Sequence, residues 1–245
     1  MANDPSRRLI VALDTPRLDQ AVALARRLDG LAGCFKIGSE LFTAAGPRAV
    51  EAIAGLGAKI FLDLKFHDIP NTVAGAVAAA ARLPGIRLLN VHASGGLQMM
   101  RAAARALPRG RGRPMLLGVT LLTSLDAAAL RRIGIAGSPA SRVVKLSKLA
   151  QQAGLDGVVA SPREVRAIRR ACGPRFLLVV PGVRPGWAAR GDQARVATPA
   201  EAVRAGADYI VVGRPITAAR DPHAAARRIL EEISVANPLL RSAGF

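Results

Sequence analysis

The segment Asp63-Leu64-Lys65-Phe66-His67-Asp68-Ile69-Pro70-Asn71-Thr72 gathers two carboxylates, an ammonium and an imidazole within ten residues. In an extended strand alternate side chains share a face, so Asp63 and Lys65 project together while Leu64 points the other way. Asp68 follows in the loop, Pro70 ends the extended run, and Asn71 or Thr72 can cap the next helix. A lone Asp-x-Lys is an ordinary structural ion pair. Joined by Lys36 from a neighbouring strand end, however, Asp63, Lys65 and Asp68 form an alternating charge network that holds Lys65 as a full ammonium aimed at one point. A cation fixed in this way stabilises negative charge that develops during a reaction. His67 and His92, taken with Asp63 and Asp68, spell a metal site as the alternative. A packed, hydrogen-bonded histidine at a strand end is the commoner arrangement, and the expectation is no metal.

The elements that must position these residues recur along the chain. Eight runs rich in Val, Ile and Leu stand at Leu9–Asp14, Cys34–Gly38, Lys59–Lys65, Leu88–Ala93, Met115–Leu122, Gly157–Ser161, Phe176–Val183 and Tyr209–Arg214. They are continuously apolar rather than alternating, as strands buried on both faces should be. Alanine-rich segments with helical spacing separate them, among them Leu18–Leu28, Val73–Leu83 and Ala224–Ile233. Strand–helix alternation implies parallel pairing through right-handed crossovers. Eight units in 245 residues predict one (β/α)8 TIM barrel spanning residues 1–245 as a single domain, with a doubly wound open sheet as the alternative. The runs end at Asp14, Lys36, Asp63 with Lys65, His92, Thr120, Ser161, Arg184 and Arg214, a polar ring at the face where TIM barrels carry their sites.

Composition narrows the class. The net charge is +18, with only 3% aromatic residues, so a polynucleotide would find charge but little to stack on. The arginines are spread over the chain, which points to solvated helix surface plus a few anion-binding positions. The one dense cluster, Arg109, Arg111 and Arg113, lies among Gly and Pro and reads as an exposed loop. The longest charge-free apolar runs, such as Pro114 to Leu125, fall short of the roughly 20 residues a membrane helix needs. Cys34 and Cys172 stand far apart without a CxxC spacing, read as small buried hydrophobes, and make a reducing cytoplasm the default. Ser94-Gly95-Gly96 reads equally as a phosphate loop or a tight turn.

DLKFHDIPNT closely resembles the signature of the orotidine 5'-phosphate decarboxylases, in an arrangement like that of the family's bacterial branch. LIVALD at 9–14, FKIG at 35–38, NVHASGG at 90–96, VTLLTS at 119–124, PGVRP at 181–185, GDQ at 191–193 and VVGRPIT at 211–217 follow in family order, over nearly all of the chain. The resemblance implies loss of the ring carboxylate from orotidine 5'-phosphate to give UMP, without metal or organic cofactor. It implies Lys65, Asp63, Asp68 and Lys36 as the catalytic group. It also implies substrate contacts from Asp14, Ile69, Thr72, Thr123, Arg184, Gln193, Gly213 and Arg214, with the Pro181 to Asp192 segment as a lid. A homodimer in which Asp68 serves the partner's site belongs to the same implication; no nucleic-acid or membrane partner does.

Two rivals stand beside it. Magnesium-dependent phosphosugar enzymes of the same superfamily, such as ketogulonate-phosphate decarboxylases and hexulose-phosphate synthases, share an Asp-x-Lys-x-x-Asp strand end. The flanking Phe66-His67 and Ile69-Pro70-Asn71-Thr72 argue against them. A basic nucleic-acid-binding protein on an old enzyme scaffold would have no use for a cluster of charges as costly as Asp63, Lys65 and Asp68.

Overall fold

The computed structural model describes residues 4–110, 112–135, 137–188 and 197–236. Eight strands alternate with helices: β1 (Leu9–Ala12), β2 (Cys34–Gly38), β3 (Ile60–Phe66), β4 (Ile86–His92), β5 (Met115–Val119), β6 (Gly157–Val159), β7 (Leu177–Val180) and β8 (Tyr209–Val212). Every adjacent pair is parallel, and β1 pairs with β8, so the sheet closes into a barrel. Closure removes the open doubly wound alternative. Each strand falls within or overlaps one of the eight apolar runs, because a strand covered on both faces must be apolar at every position.

The core has two layers. Ile10, Ala12, Cys34, Phe61, Leu88, Leu117, Val179 and Val211 come only from strands and fill the barrel interior. Their neighbours Leu9, Val11, Ile37, Leu62, Leu89 and Val91 point outward to meet helix residues such as Leu41, Ile53, Val77, Met100 and Ile229. Among the described residues no helix is long and apolar enough to cross a membrane.

Several basic residues turn out to be structural. Arg113 donates to both carboxylate oxygens of Asp156, at 2.9 and 2.7 Å, and Asp156 also accepts the Leu116 N–H. Arg113 therefore ties β5 to the start of β6 and is no mere loop charge; Arg111 lies outside the described residues. Asp208 repeats the device before β8, accepting from Arg169 and from the Leu178 N–H. Arg169 in addition donates to the carbonyls of Gly173, Pro174, Phe176 and Gly206. Two members of the polar ring are likewise structural. Thr120 is buried and donates to the Val159 carbonyl, and Ser161 caps the Pro162–Glu164 turn by accepting the Arg163 N–H.

Candidate active site

At the carboxyl ends of β1, β2 and β3 four charges alternate in sign. Asp14 Oδ1 lies 2.8 Å from Lys36 Nζ, Lys36 Nζ lies 3.6 Å from Asp63 Oδ2, and Asp63 Oδ1 lies 2.8 Å from Lys65 Nζ. The members differ in solvation. Lys36 and Asp63 have side chains 12% and 11% exposed, whereas Lys65 keeps 34% and Asp14 keeps 54%. The inner pair is therefore screened little by water, and the outer pair faces incoming solute.

Lys65 occupies an unusual backbone position. Its φ is 53°, the only positive φ at a non-glycine among the described residues. The cause lies in the β3–β4 register. Leu62 pairs with Leu89 but Phe66 pairs with Val91, so the three residues 63–65 of β3 face a single residue, Asn90, of β4. This bulge carries Lys65 into the left-handed region. Regular alternation would set Asp63 and Lys65 side by side; the bulge instead turns Lys65 so that its Nζ returns to Asp63. Leu64 still packs outward against the helix layer.

Asn90 holds the bulge and was not singled out from the sequence. It is fully buried. Its Oδ1 accepts the Lys65 backbone N–H at 2.8 Å and its Nδ2 donates to Asp63 Oδ1 at 2.6 Å. The two bonds fix the amide orientation, since a carboxylate can only accept and an N–H can only donate. The available signal was a polar residue inside the apolar run Leu88-Leu89-Asn90-Val91. Gly38 was missed as well: a Cβ there would come within 2.9 Å of Lys36 Nζ and 3.6 Å of Asp14 Oδ1. A side chain there would push the Lys36 ammonium from its place beside Asp14.

Two hollows meet at this chain of charges. One, about 190 Å³, is lined by Phe61, Asp63, Lys65, Thr123 and apolar residues of the β5 to β7 ends. The other, about 200 Å³, is lined by Asp14, Arg184, Gly213 and Arg214. Lys36, Pro181 and Val211 border both. A polar, partly apolar slot thus adjoins a basic one, with the ammonium of Lys36 between them. A larger and more open hollow of about 530 Å³ lies beyond Asp14, but Asp14 is its only member of the charge cluster.

The remaining expected residues fall elsewhere. Asp68 is exposed and its Oδ1 accepts the Ile69 N–H at 2.6 Å; within the described chain it forms no ion pair with Lys36 or Lys65. Asp14 therefore occupies the fourth position of the network that the sequence assigned to Asp68. Ile69, 67% exposed, and Thr72 stand on the same exposed stretch and border neither hollow. Gln193 lies outside the described residues. The flanks of its segment are anchored: the Arg184 N–H donates to the Ala197 carbonyl at 2.9 Å, and Arg228 stacks 4.4 Å over the Trp187 ring.

The rings of His67 and His92 form a tilted pair, with centroids 5.3 Å apart and planes at 40°. Burial, then His67 and Lys65, hold His92 below the usual histidine range, against a smaller opposing pull from Asp63. A depressed imidazole pKa means a neutral ring beside Lys65. Among the described residues no group of three or more His, Cys, Asp or Glu is placed to hold a metal ion. Ser94-Gly95-Gly96 is a tight turn: a Cβ on Gly95 would collide with Met99, and Gly96 has φ 85°.

A closed parallel barrel with charged side chains converging at the carboxyl ends of its strands defines a TIM-barrel enzyme. The profile of the family "Orotidine 5'-phosphate decarboxylase / HUMPS family" matches residues 7–229. The orotidine 5'-phosphate decarboxylase of Moorella thermoacetica is 56% identical, over 93% of this chain and 92% of its own. That of Anaeromyxobacter sp. is 58% identical, over 92% of this chain and 97% of its own. The crystal structure of orotidine 5'-phosphate decarboxylase from Lactobacillus acidophilus superimposes with a TM-score of 0.82 at 42% identity, over 93% of this chain and 99% of that one. The chain belongs to the orotidine 5'-phosphate decarboxylase family.

Proposed function

We propose that the chain converts orotidine 5'-phosphate to UMP and carbon dioxide, as one catalytic domain over residues 1–245, without metal or organic cofactor. The observation that carries this reading is the Asp14–Lys36–Asp63–Lys65 chain set between a slot for a ring and a basic slot for a phosphate. The bond from the ring to its carboxylate breaks, carbon dioxide leaves, and the electron pair stays on the ring carbon. The Lys65 ammonium stabilises that pair and then gives it a proton, leaving a neutral amine that solvent reprotonates. Asp63 keeps Lys65 in place beside the departing carboxylate. Thr123 meets the base edge; Asp14 and Lys36 meet the ribose.

Arg184 and Arg214 hold the phosphate, with Gly213 allowing close backbone approach and Gln193 bridging phosphate and base. The helix after β8, Arg214–Thr217, is a single turn, so guanidinium charge supplies most of the attraction. Anchoring the phosphate turns binding energy remote from the ring into organisation around Lys65. Two buried free cysteines support a reducing cytoplasmic setting. The direct test follows the loss of orotate-ring absorbance when purified protein meets orotidine 5'-phosphate in EDTA. Turnover supports the reading; activity that EDTA abolishes and magnesium restores would favour the metal-dependent rivals.

Asp68, with Ile69 and Thr72, completes the site of the second subunit in a homodimer. Its exposure beyond β3 and its absence from its own chain's network support this. Lys65→Ala and Asp68→Ala, each nearly inactive alone, are mixed under subunit exchange. Random exchange makes about half the dimers mixed, each with one intact site, so activity returns to about a quarter of wild type. No recovery despite demonstrated exchange would show that Asp68 serves its own chain.

A further inference from the structure

We infer that Asn90 is the positioning residue of this site: its one amide clamps Lys65 into a left-handed backbone conformation and orients Asp63 toward the Lys65 ammonium. The inference rests on the assignment of Lys65 as the reacting cation.

Three observations converge on Asn90. It is the residue of β4 opposite the whole bulge of β3, between the Leu62–Leu89 and Phe66–Val91 pairs. It is fully buried, so both of its bonds form where water does not compete. Those bonds reach the two things that must be controlled: the Lys65 N–H at 2.8 Å and Asp63 Oδ1 at 2.6 Å.

A lysine at φ 53° is a conformation that a free chain abandons. With Asn90 removed, residue 65 can relax to a negative φ by rotating its N–H away from β4. That rotation swings the side chain off the line to Asp63. Asp63 Oδ1, which now accepts from both Asn90 and Lys65, also loses the donor that fixes its rotamer. Lys36, 3.6 Å from the other oxygen, then competes for the carboxylate. The ammonium remains in the site but no longer at the reacting carbon. A displacement of that kind, near 1 Å, lowers turnover about 100-fold.

The phosphate end has no part in this arrangement, because Arg184 and Arg214 border the other hollow. Asn90→Ala and Asn90→Asp are compared across pH 6 to 9, the second keeping the shape of the side chain and an acceptor for the Lys65 N–H while setting a second carboxyl against Asp63, because a proton shared by the two carboxyls at the lower pH would restore a donor to Asp63. Both are expected to lower kcat about 100-fold with KM and UMP affinity within about threefold of wild type. Melting curves establish that the assay temperature lies below unfolding, and Asn90→Asp carries the test if Asn90→Ala does not fold. In a Lys65→Ala background, Asn90→Asp should change the residual rate less than about threefold, since the group it positions is gone. A kcat within threefold of wild type in the single variants, or equal losses in kcat and UMP affinity, would overturn the inference. A full 100-fold loss added on top of Lys65→Ala would overturn it too, by showing that Asn90 acts apart from Lys65. If Lys65→Ala alone kept wild-type turnover, the failure would lie with the assignment of Lys65 instead.

Discussion

The left-handed conformation of Lys65 has a thermodynamic consequence that a pair of substitutions isolates. Lys65→Ala and Lys65→Gly delete the same ammonium and leave Asp63 with the same remaining partners, Lys36 and Asn90. They differ only in the backbone preference of residue 65. An L-residue in the left-handed region costs roughly 1–2 kcal/mol. Glycine escapes that cost but loses about 0.5–1 kcal/mol more than alanine when its freer unfolded chain is ordered. Taken at their midpoints, about 1.5 and about 0.75 kcal/mol, the two effects leave Lys65→Gly more stable by roughly 0.75 kcal/mol. Relaxing to negative φ gains alanine little, because it breaks the 2.8 Å bond from its N–H to Asn90 and leaves the fully buried Asn90 Oδ1 unsatisfied, at a cost of about 1–3 kcal/mol. For a chain of this size the gap corresponds to a Tm difference of about 1–4 °C. Urea titrations of both variants, fitted with a common slope, measure it. Equal stability, or a more stable Lys65→Ala, would show that residue 65 is not held in the left-handed region. Elsewhere in strands the same Gly-for-Ala comparison has the opposite sign, so direction alone decides.

Arg214→Ala is expected to weaken UMP binding by about 10- to 100-fold, the loss of one charge-assisted anion contact, whereas Lys65→Ala leaves UMP affinity nearly unchanged and removes turnover; calorimetric titration with UMP separates them. Because His92 is held below the usual histidine value of 6.5, the unfolded chain binds more protons than the folded one as the pH falls through that value. Stability is therefore full above pH 6.5 and declines with acidification toward the folded value, and His92→Asn should flatten that decline in urea midpoints measured from pH 7 to pH 5. Arg169→Ala removes a fork that satisfies four carbonyls and Asp208. A loss of about 2–3 kcal/mol in chemical denaturation, with KM unchanged, is the expected result.

The barrel is legible because its strands are buried on both faces, which writes them as apolar runs whatever the loops do. Their ends are less legible. The run Leu9–Asp14 shortens to Leu9–Ala12: Leu13 still donates its N–H to the Lys36 carbonyl but packs outward in the core, and Asp14 turns to Lys36 at the site. Strand β4 starts earlier than its apolar run, at Ile86, because Ile86 already pairs with Ile60 while the exposed Arg87 is skipped in the register before Leu88 pairs with Phe61. Within the site, Asp63, Lys65 and Lys36 are readable from residue type and spacing. The bulge is not, because such turns usually announce themselves by glycine and this one carries lysine. Asn90 is hidden for a related reason: its work is done by hydrogen bonds to a backbone group and a carboxylate from another strand, and no periodicity records those. Asp68 shows the converse limit. Its spacing from Lys65 is visible, but spacing does not say which chain's Lys65 it serves.

The division of charge explains how such a basic protein can keep a balanced reaction centre. Asp14, Lys36, Asp63 and Lys65 sum to zero in formal charge, and the three of them that line the ring slot, Lys36, Asp63 and Lys65, alternate in sign and leave it a single net positive charge. Arg184 and Arg214 add two positive charges only at the other slot. On the proposed reading, the substrate carries most of its negative charge on the phosphate and one further charge on the ring carboxylate. The uneven field admits it in one orientation, with phosphate toward the arginines and carboxylate toward Lys65. Reversal would set the phosphate against Asp63, buried where water screens repulsion poorly. The surplus arginines elsewhere on the surface raise the local concentration of anions without choosing between these orientations. On that reading the placement of these charges sets the orientation, while the surplus behind the net charge of +18 raises how often the substrate arrives.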